Sequence, residues 1–174
     1  MPQSKNKSFN HIKIHSQYSI CEGALKIENL KEYCKKNKIQ SVGLSDTNNL
    51  SGALEFSENI SSVGTQPIIG SQIQFKFKNT YGLIPLIAKN YVGYKNIIEL
   101  SSKAYLENVS NDQPHCCIDD LTKYSEGIIV LSGSINNLIG NIYNKGLFEE
   151  LDELILGNIG LDGIGLKLHL KGRL

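Results

Sequence analysis

Hydrophobic and polar residues alternate with two different periods along the first half of the chain. Residues 9–15, FNHIKIH, alternate one by one, which is typical of a strand with one polar face. Ile27, Leu30 and Cys34 recur at helical spacing, with Lys and Glu between them. The predicted elements are a strand over 9–15, a helix over 26–37, a strand over 41–45, a helix over 51–60, and strands over 67–77 and 83–88 joined by a turn at Asn79 and Gly82.

The second half of the chain contains the clearest predicted strand. Residues 127–131, GIIVL, form a continuous apolar run, which favours a strand covered on both faces in a parallel sheet. A long helical pattern follows, and we expect Gly146 to divide it. The other predicted elements are helices over 93–107 and 118–124, the helical segment over 138–155, and an alternating apolar strand over 164–171.

Helices that alternate with mostly apolar strands indicate an α/β fold, either an open doubly wound sheet or a barrel with helices outside. We favour the barrel. Because a fold does not usually end on an unprotected apolar strand such as 164–171, we expect a fragment or a natural truncation. The barrel is then incomplete at its C-terminus. We expect residues 1–8 to form a disordered tail and residues 9–174 to form one partial domain.

Composition narrows the class of protein. The 174 residues are 40% hydrophobic and 20% charged, which indicates one folded, soluble domain. A net charge of +1 excludes the broad basic surface of a stand-alone nucleic-acid binder. No apolar window approaches about 18 residues, and the start lacks the apolar core of a secretory signal. We therefore expect a cytoplasmic protein without a membrane segment.

The four cysteines do not form a recognisable framework. Cys21, Cys34, Cys116 and Cys117 are too few and too irregular for a disulfide scaffold, and no CxxC pair typical of structural zinc occurs. Cys116 and Cys117 follow His115, which is compatible with a metal corner, but no second ligand pair accompanies them. We interpret them as reduced thiols in a loop.

Polar residues at two predicted strand ends form the candidate site. His15 ends the first strand, and Ser45, Asp46 and Thr47 end the second. In α/β folds the loops after strand C-termini form the site, so His15 and Asp46 are expected to lie near each other. The alternative is structural: His15 then only makes a hydrogen bond, and Asp46 caps the turn into the next helix. No glycine-rich phosphate loop, HExxH or GxSxG motif occurs.

Several sequence blocks resemble one family in a single order. They are HIKIHSQYSICEGALKIENL, GLSDTNNLSGALEF, QPIIGSQIQF, LIAKNYVGYKNIIELSSKAY and EGIIVLSGS. Together they resemble the amino-terminal PHP domain of bacterial DNA polymerase III alpha subunits over residues 9–146, whereas residues 157–174 match poorly. The last two blocks are characteristic of the polymerase branch of that family.

The resemblance implies a distorted barrel of β/α units. Its strand ends collect His, Asp, Glu and Cys ligands around divalent metals, and metal-activated water attacks a phosphoester. This chain keeps only half of the His-x-His pair and half of the Asp-His pair, and it lacks the expected Glu, His and Cys that follow. The positions left from that metal site are His11, Lys13, His15, Asp46, Thr47, Gln72, Leu83 and Ser134.

These departures all weaken metal binding. Lys13 adds a fixed positive charge, Leu83 offers no lone pair, and Gln72 lacks the negative charge that a hard cation favours. We therefore expect no catalytic residue and no cofactor in this chain, with His15 and Asp46 as weak metal candidates. We also expect the Lys13 ammonium to pair with Asp46 in place of the missing metal.

For the function, the resemblance implies a structural and docking domain of a replicative DNA polymerase. Its partners are then the remaining domains of the alpha subunit, the proofreading exonuclease subunit in some lineages, and DNA through the whole polymerase. Nucleotidyl transfer with Mg²⁺ belongs to a palm domain that these 174 residues do not contain, so the segment alone is expected to be inactive.

Two alternatives come from other functional classes. A free-standing PHP phosphoesterase needs Zn²⁺ or Mn²⁺, held by His11, His15 and Asp46 with help from Ser134 or His115. A stand-alone interaction module has lost the polymerase altogether. The cluster of Lys35, Lys36 and Lys38 is expected to be a solvated helix end, with DNA contact as its alternative.

Overall fold

A computed structural model describes residues 9–107 and 113–158. The expected tail at 1–8 and the expected strand at 164–171 lie outside the described residues. The strands are β1 (Ser41–Thr47), β2 (Gln66–Phe77), β3 (Thr80–Ala88), β4 (Cys116–Cys117) and β5 (Ile128–Val130). The helices are α1 (Ile27–Asn37), α2 (Ala53–Ser61), α3 (Tyr91–Leu106), α4 (Ile118–Lys123), α5 (Leu138–Asn144) and α6 (Phe148–Asp152), followed by a π-helical turn at Glu153–Asn158.

The described strands form one mixed, open sheet in the order β1, β2, β3, β5, and β4 pairs with the far end of β2. β1 is parallel to β2, and this register places Asp46 opposite Ser71 and Thr47 opposite Gln72. β2 and β3 form an antiparallel hairpin. The α/β prediction is confirmed, and the described strands do not close into a barrel, as expected for an incomplete one.

Two apolar clusters hold the described helices against this sheet. Alternate side chains of β2 and β3, including Ile73, Phe75 and Leu86, pack with α3, α4 and α5 in the larger cluster. The smaller cluster joins α1 and α2 to β1 through Ile27, Leu30, Cys34, Val42, Leu44, Phe56 and Ile60. The apolar spacing of Ile27, Leu30 and Cys34 therefore marks the buried face of α1.

Helix α1 ends in the way that its basic last turn suggests. Lys38 adopts a left-handed conformation (φ 51°), and its N–H caps the carbonyl groups of Cys34 and Lys35. Lys35 and Lys36 lie exposed in the last turn, where cations interact favourably with the helix dipole. This arrangement agrees with a solvated helix end.

The apolar run at 127–131 forms a strand of a different kind from the one predicted. β5 is antiparallel to β3, and Ile129 is 36% exposed, so the prediction of a parallel strand covered on both faces is wrong. A continuous apolar run indicates burial but carries no information on strand direction. Gly146 does divide the following helices, because its φ of +71° favours glycine.

Two other predictions need correction. Residues 9–15 do not form a regular strand, although Ile14 bridges Leu44 and exchanges backbone hydrogen bonds with Gly43 (3.1 Å) and Ser45 (2.8 Å).

Gly82 does not lie in the turn but inside β3 opposite Phe75. A Cβ atom at Gly82 would lie 2.4 Å from the backbone of Leu138, so close packing explains this glycine.

Within the described residues, no helix is both long enough and apolar enough to cross a membrane.

The contact of Gly93 with Gly127 yields a prediction on stability. A Cβ atom at Gly93 would lie 1.8 Å from the Gly127 carbonyl oxygen, so α3 must shift to accommodate it. We expect Gly93→Ala to lower the free energy of unfolding by about 2 kcal/mol, measured by urea denaturation. Ser102→Ala on the exposed face of α3 is the matched control and should have little effect. Equal stability of the two variants would contradict this packing.

Candidate functional site

The carboxylate of Asp46 is the centre of the candidate site. Asp46 is only 1% exposed and lies near the C-terminal end of β1. Its Oδ1 accepts hydrogen bonds from the Ser16 backbone N–H (2.6 Å) and the Ser19 hydroxyl (2.7 Å). Its Oδ2 accepts one from the Ser16 hydroxyl (2.7 Å). A buried carboxylate is costly unless donors surround it, and here two serines provide them.

A tight loop after the first extended segment positions these two serines. Ser16 bridges Leu25, and the Gly23 N–H donates to the Ser19 carbonyl (2.9 Å). A Cβ atom at Gly23 would lie 1.9 Å from the Ser16 carbonyl oxygen, so only glycine allows the loop to close this tightly. The loop from Ser16 to Leu25 is called the serine loop below.

Ser19 connects Asp46 to two other predicted site residues. Its hydroxyl oxygen lies 3.4 Å from His15 Nδ1 and accepts a hydrogen bond from the Thr47 backbone N–H (3.1 Å). Because the Ser19 proton points to Asp46, Nδ1 of His15 is the donor in its contact with Ser19. The predicted approach of His15 and Asp46 is therefore found, but it runs through a serine hydroxyl.

Thr47 and Gln72 form a second polar group across the β1–β2 register. The Gln72 Nε2 donates to the Thr47 hydroxyl (2.8 Å), which in turn donates to Glu22 of the serine loop. Within residues 9–107 and 113–158, the buried Gln72 Oε1 and Ser45 Oγ have no hydrogen-bond partner. These two oxygens are neutral, so they add no negative charge for a divalent cation.

The other predicted positions do not join this hydrogen-bonded group. His11 is exposed and packs edge-on against the Phe9 ring. Leu83 is half-buried inside β3, opposite Gln74. Ser134 is exposed in the loop after β5, where its hydroxyl donates to Asn137 (2.8 Å).

The predicted ion pair between Lys13 and Asp46 is wrong. Lys13 is exposed, and none of the ion pairs formed among the described residues includes it. Asp46 is already satisfied by Ser16 and Ser19, so a lysine would have to lose its own hydration for little gain.

The donor set does not fit a divalent metal. In the part of the chain that the structure describes, no group of three or more His, Cys, Asp or Glu side chains could hold a metal ion. Three N–H or O–H donors take up most of the lone pairs of the Asp46 carboxylate, which leaves few for a cation. Gln72 likewise turns its amide NH₂ group toward Thr47.

The residues around Cys116 point in different directions. The buried Cys116 thiol donates to the Leu100 carbonyl (3.1 Å), while Cys117 is exposed at the start of α4. His115 is buried and contacts the Gln113 carbonyl through Nδ1 (2.9 Å). Cys116–Cys117 forms the short strand β4 rather than the expected loop, and alternation along this strand separates the two thiols. All four cysteines are free, as predicted.

Sequence reasoning missed the residues that bind the Asp46 segment. Ser16 and Ser19 bind its carboxylate, Glu22 binds Thr47, and the Ser71 hydroxyl donates to the Asp46 carbonyl (2.8 Å). The Ser-x-x-Ser spacing directly after His15 is the signal that points to a polar loop at this place.

Comparison with known proteins identifies the class of protein. The family model for the PHP domain matches residues 11–165. The chain therefore belongs to the PHP domain family, and the family expected from its sequence blocks is confirmed.

The relatives of this chain narrow the comparison to one kind of PHP-domain protein. The chain is 38% identical over 160 residues to the DNA polymerase III subunit alpha of Borreliella burgdorferi, 37% over 133 residues to that of Rickettsia felis, and 33% over 155 residues to that of Caulobacter vibrioides. These matches cover 85%, 76% and 84% of this chain but 14%, 11% and 14% of the relatives. The chain thus corresponds to a small part of each polymerase subunit.

Solved structures resemble the chain more distantly. A candidate metal-dependent phosphoesterase from Bifidobacterium adolescentis has a TM-score of 0.44 at 17% identity and covers 84% of this chain and 54% of its own. An amidohydrolase from Chromobacterium violaceum also has a TM-score of 0.44, at 10% identity, over 85% of this chain and 54% of its own. Similarities of this strength do not identify a function.

Removing one serine hydroxyl tests the role of the serine loop. We expect Ser19→Ala to lower the free energy of unfolding by about 2 kcal/mol, because it leaves one buried carboxylate oxygen with a single donor. Urea denaturation measures the effect. Ser61→Ala, at the exposed end of α2, is the matched control and should change stability by less than about 0.5 kcal/mol. If both substitutions had the same effect, the Asp46 bonds would not stabilise the fold.

The thiols provide a prediction on reactivity. Burial raises the pKa of the Cys116 thiol to about 12 and also raises that of Cys34, so both stay protonated at pH 8. We expect a thiol reagent to label the exposed Cys21 and Cys117 in the native protein. Cys34 and Cys116 should react only after unfolding. Rapid native labelling of Cys116, located by peptide mass spectrometry, would contradict its burial.

Proposed function

We propose that this chain is the N-terminal PHP-domain portion of a bacterial DNA polymerase III alpha subunit and serves it as a non-catalytic structural and docking domain. The identity of 32–38% to alpha subunits over most of the chain supports the first part. The observation that carries the second part is the Asp46 carboxylate, whose two oxygens are occupied by the donors of Ser16 and Ser19. Its location is then the cytoplasm.

The chemistry of the site argues against phosphoester hydrolysis. Metal-dependent hydrolysis needs a cation that lowers the pKa of a bound water and orients it toward phosphorus. We assign His11, Lys13, His15, Asp46, Thr47, Gln72, Leu83 and Ser134 as the remnants of the family's metal site. Among them Lys13 is an exposed cation and Leu83 has no donor atom, so the set cannot gather several metal ions. No catalytic residue is assigned.

The activity of the complete polymerase belongs to other parts of it. In this proposal DNA synthesis and Mg²⁺ binding reside in domains beyond the PHP portion, and the chain contacts DNA only through the whole enzyme. Its partners are the remaining domains of the alpha subunit and, in lineages where it docks there, the proofreading exonuclease subunit.

Metal content is the direct test of the non-catalytic assignment. We expect the chain, purified without chelator and offered Zn²⁺, Mn²⁺ and Fe²⁺, to hold less than about 0.1 ion per chain by mass spectrometry. It should not hydrolyse p-nitrophenyl phosphate or a DNA 3′-phosphate above a buffer blank. Two or more tightly held ions, with hydrolysis, would overturn the proposal in favour of a phosphoesterase.

A variant with restored ligands is the matched comparison. It combines Lys13→His, Thr47→His, Gln72→Glu, Leu83→His and Ser134→Cys. If these positions are remnants of a metal site, the variant should bind Zn²⁺ more tightly than the natural chain, as measured by calorimetry. A folded variant that binds no better than the natural chain would contradict the assignment of these positions.

A further inference from the structure

We draw no further inference here: the strongest candidate, the open cavity between the loop after β5 and helices α5 and α6, has an apolar lining that includes Ile139, Tyr143 and Leu151, and nothing among the described residues shows what covers it.

Discussion

The buried carboxylate of Asp46 is the constraint on which the arrangement of the N-terminal third depends. A carboxylate at the end of a strand, away from solvent, must receive hydrogen bonds from every accessible direction. Ser16 and Ser19 can supply them only if the chain after residue 15 folds back over β1, which the tight contact of Gly23 with Ser16 allows. One charge thus determines the path of the serine loop.

This local arrangement also connects the two apolar clusters. Leu44 on β1 belongs to the smaller cluster, whereas the neighbouring strand β2 carries Ile73 and Phe75 into the larger one. Between them, Ser71 and Gln72 hydrogen-bond the Asp46 carbonyl and the Thr47 hydroxyl. Polar side chains therefore join the two strands at the point where each cluster ends, while among the described residues Ser45 Oγ and Gln72 Oε1 stay buried there without a hydrogen-bond partner.

Much of the fold could be predicted from the sequence, because apolar periodicity reports burial. Helix α1 and the hairpin of β2 and β3 follow this pattern, whereas α3 buries Ile97 and Ala104 but exposes Ile98 and Tyr105. The direction of β5 could not be predicted, since apolar side chains do not encode it. At the site, the placement of His15 near Asp46 was predictable from strand ends, although Ser19 lies between them. The donors Ser16 and Ser19 were not, because serine spacing is compatible with many loops.

The absence of an ion pair between Lys13 and Asp46 has a physical reason. Opposite charge is the obvious replacement for a cation, yet a lysine is long and strongly hydrated, and burying it costs more than its attraction to one carboxylate returns. Short hydroxyl and N–H donors neutralise the same carboxylate without adding a charge that must itself be buried. Three hydrogen bonds take up most of the lone-pair directions of this carboxylate, which has about four. Asp46 held in this way ties the serine loop to the end of β1 without a counter-ion.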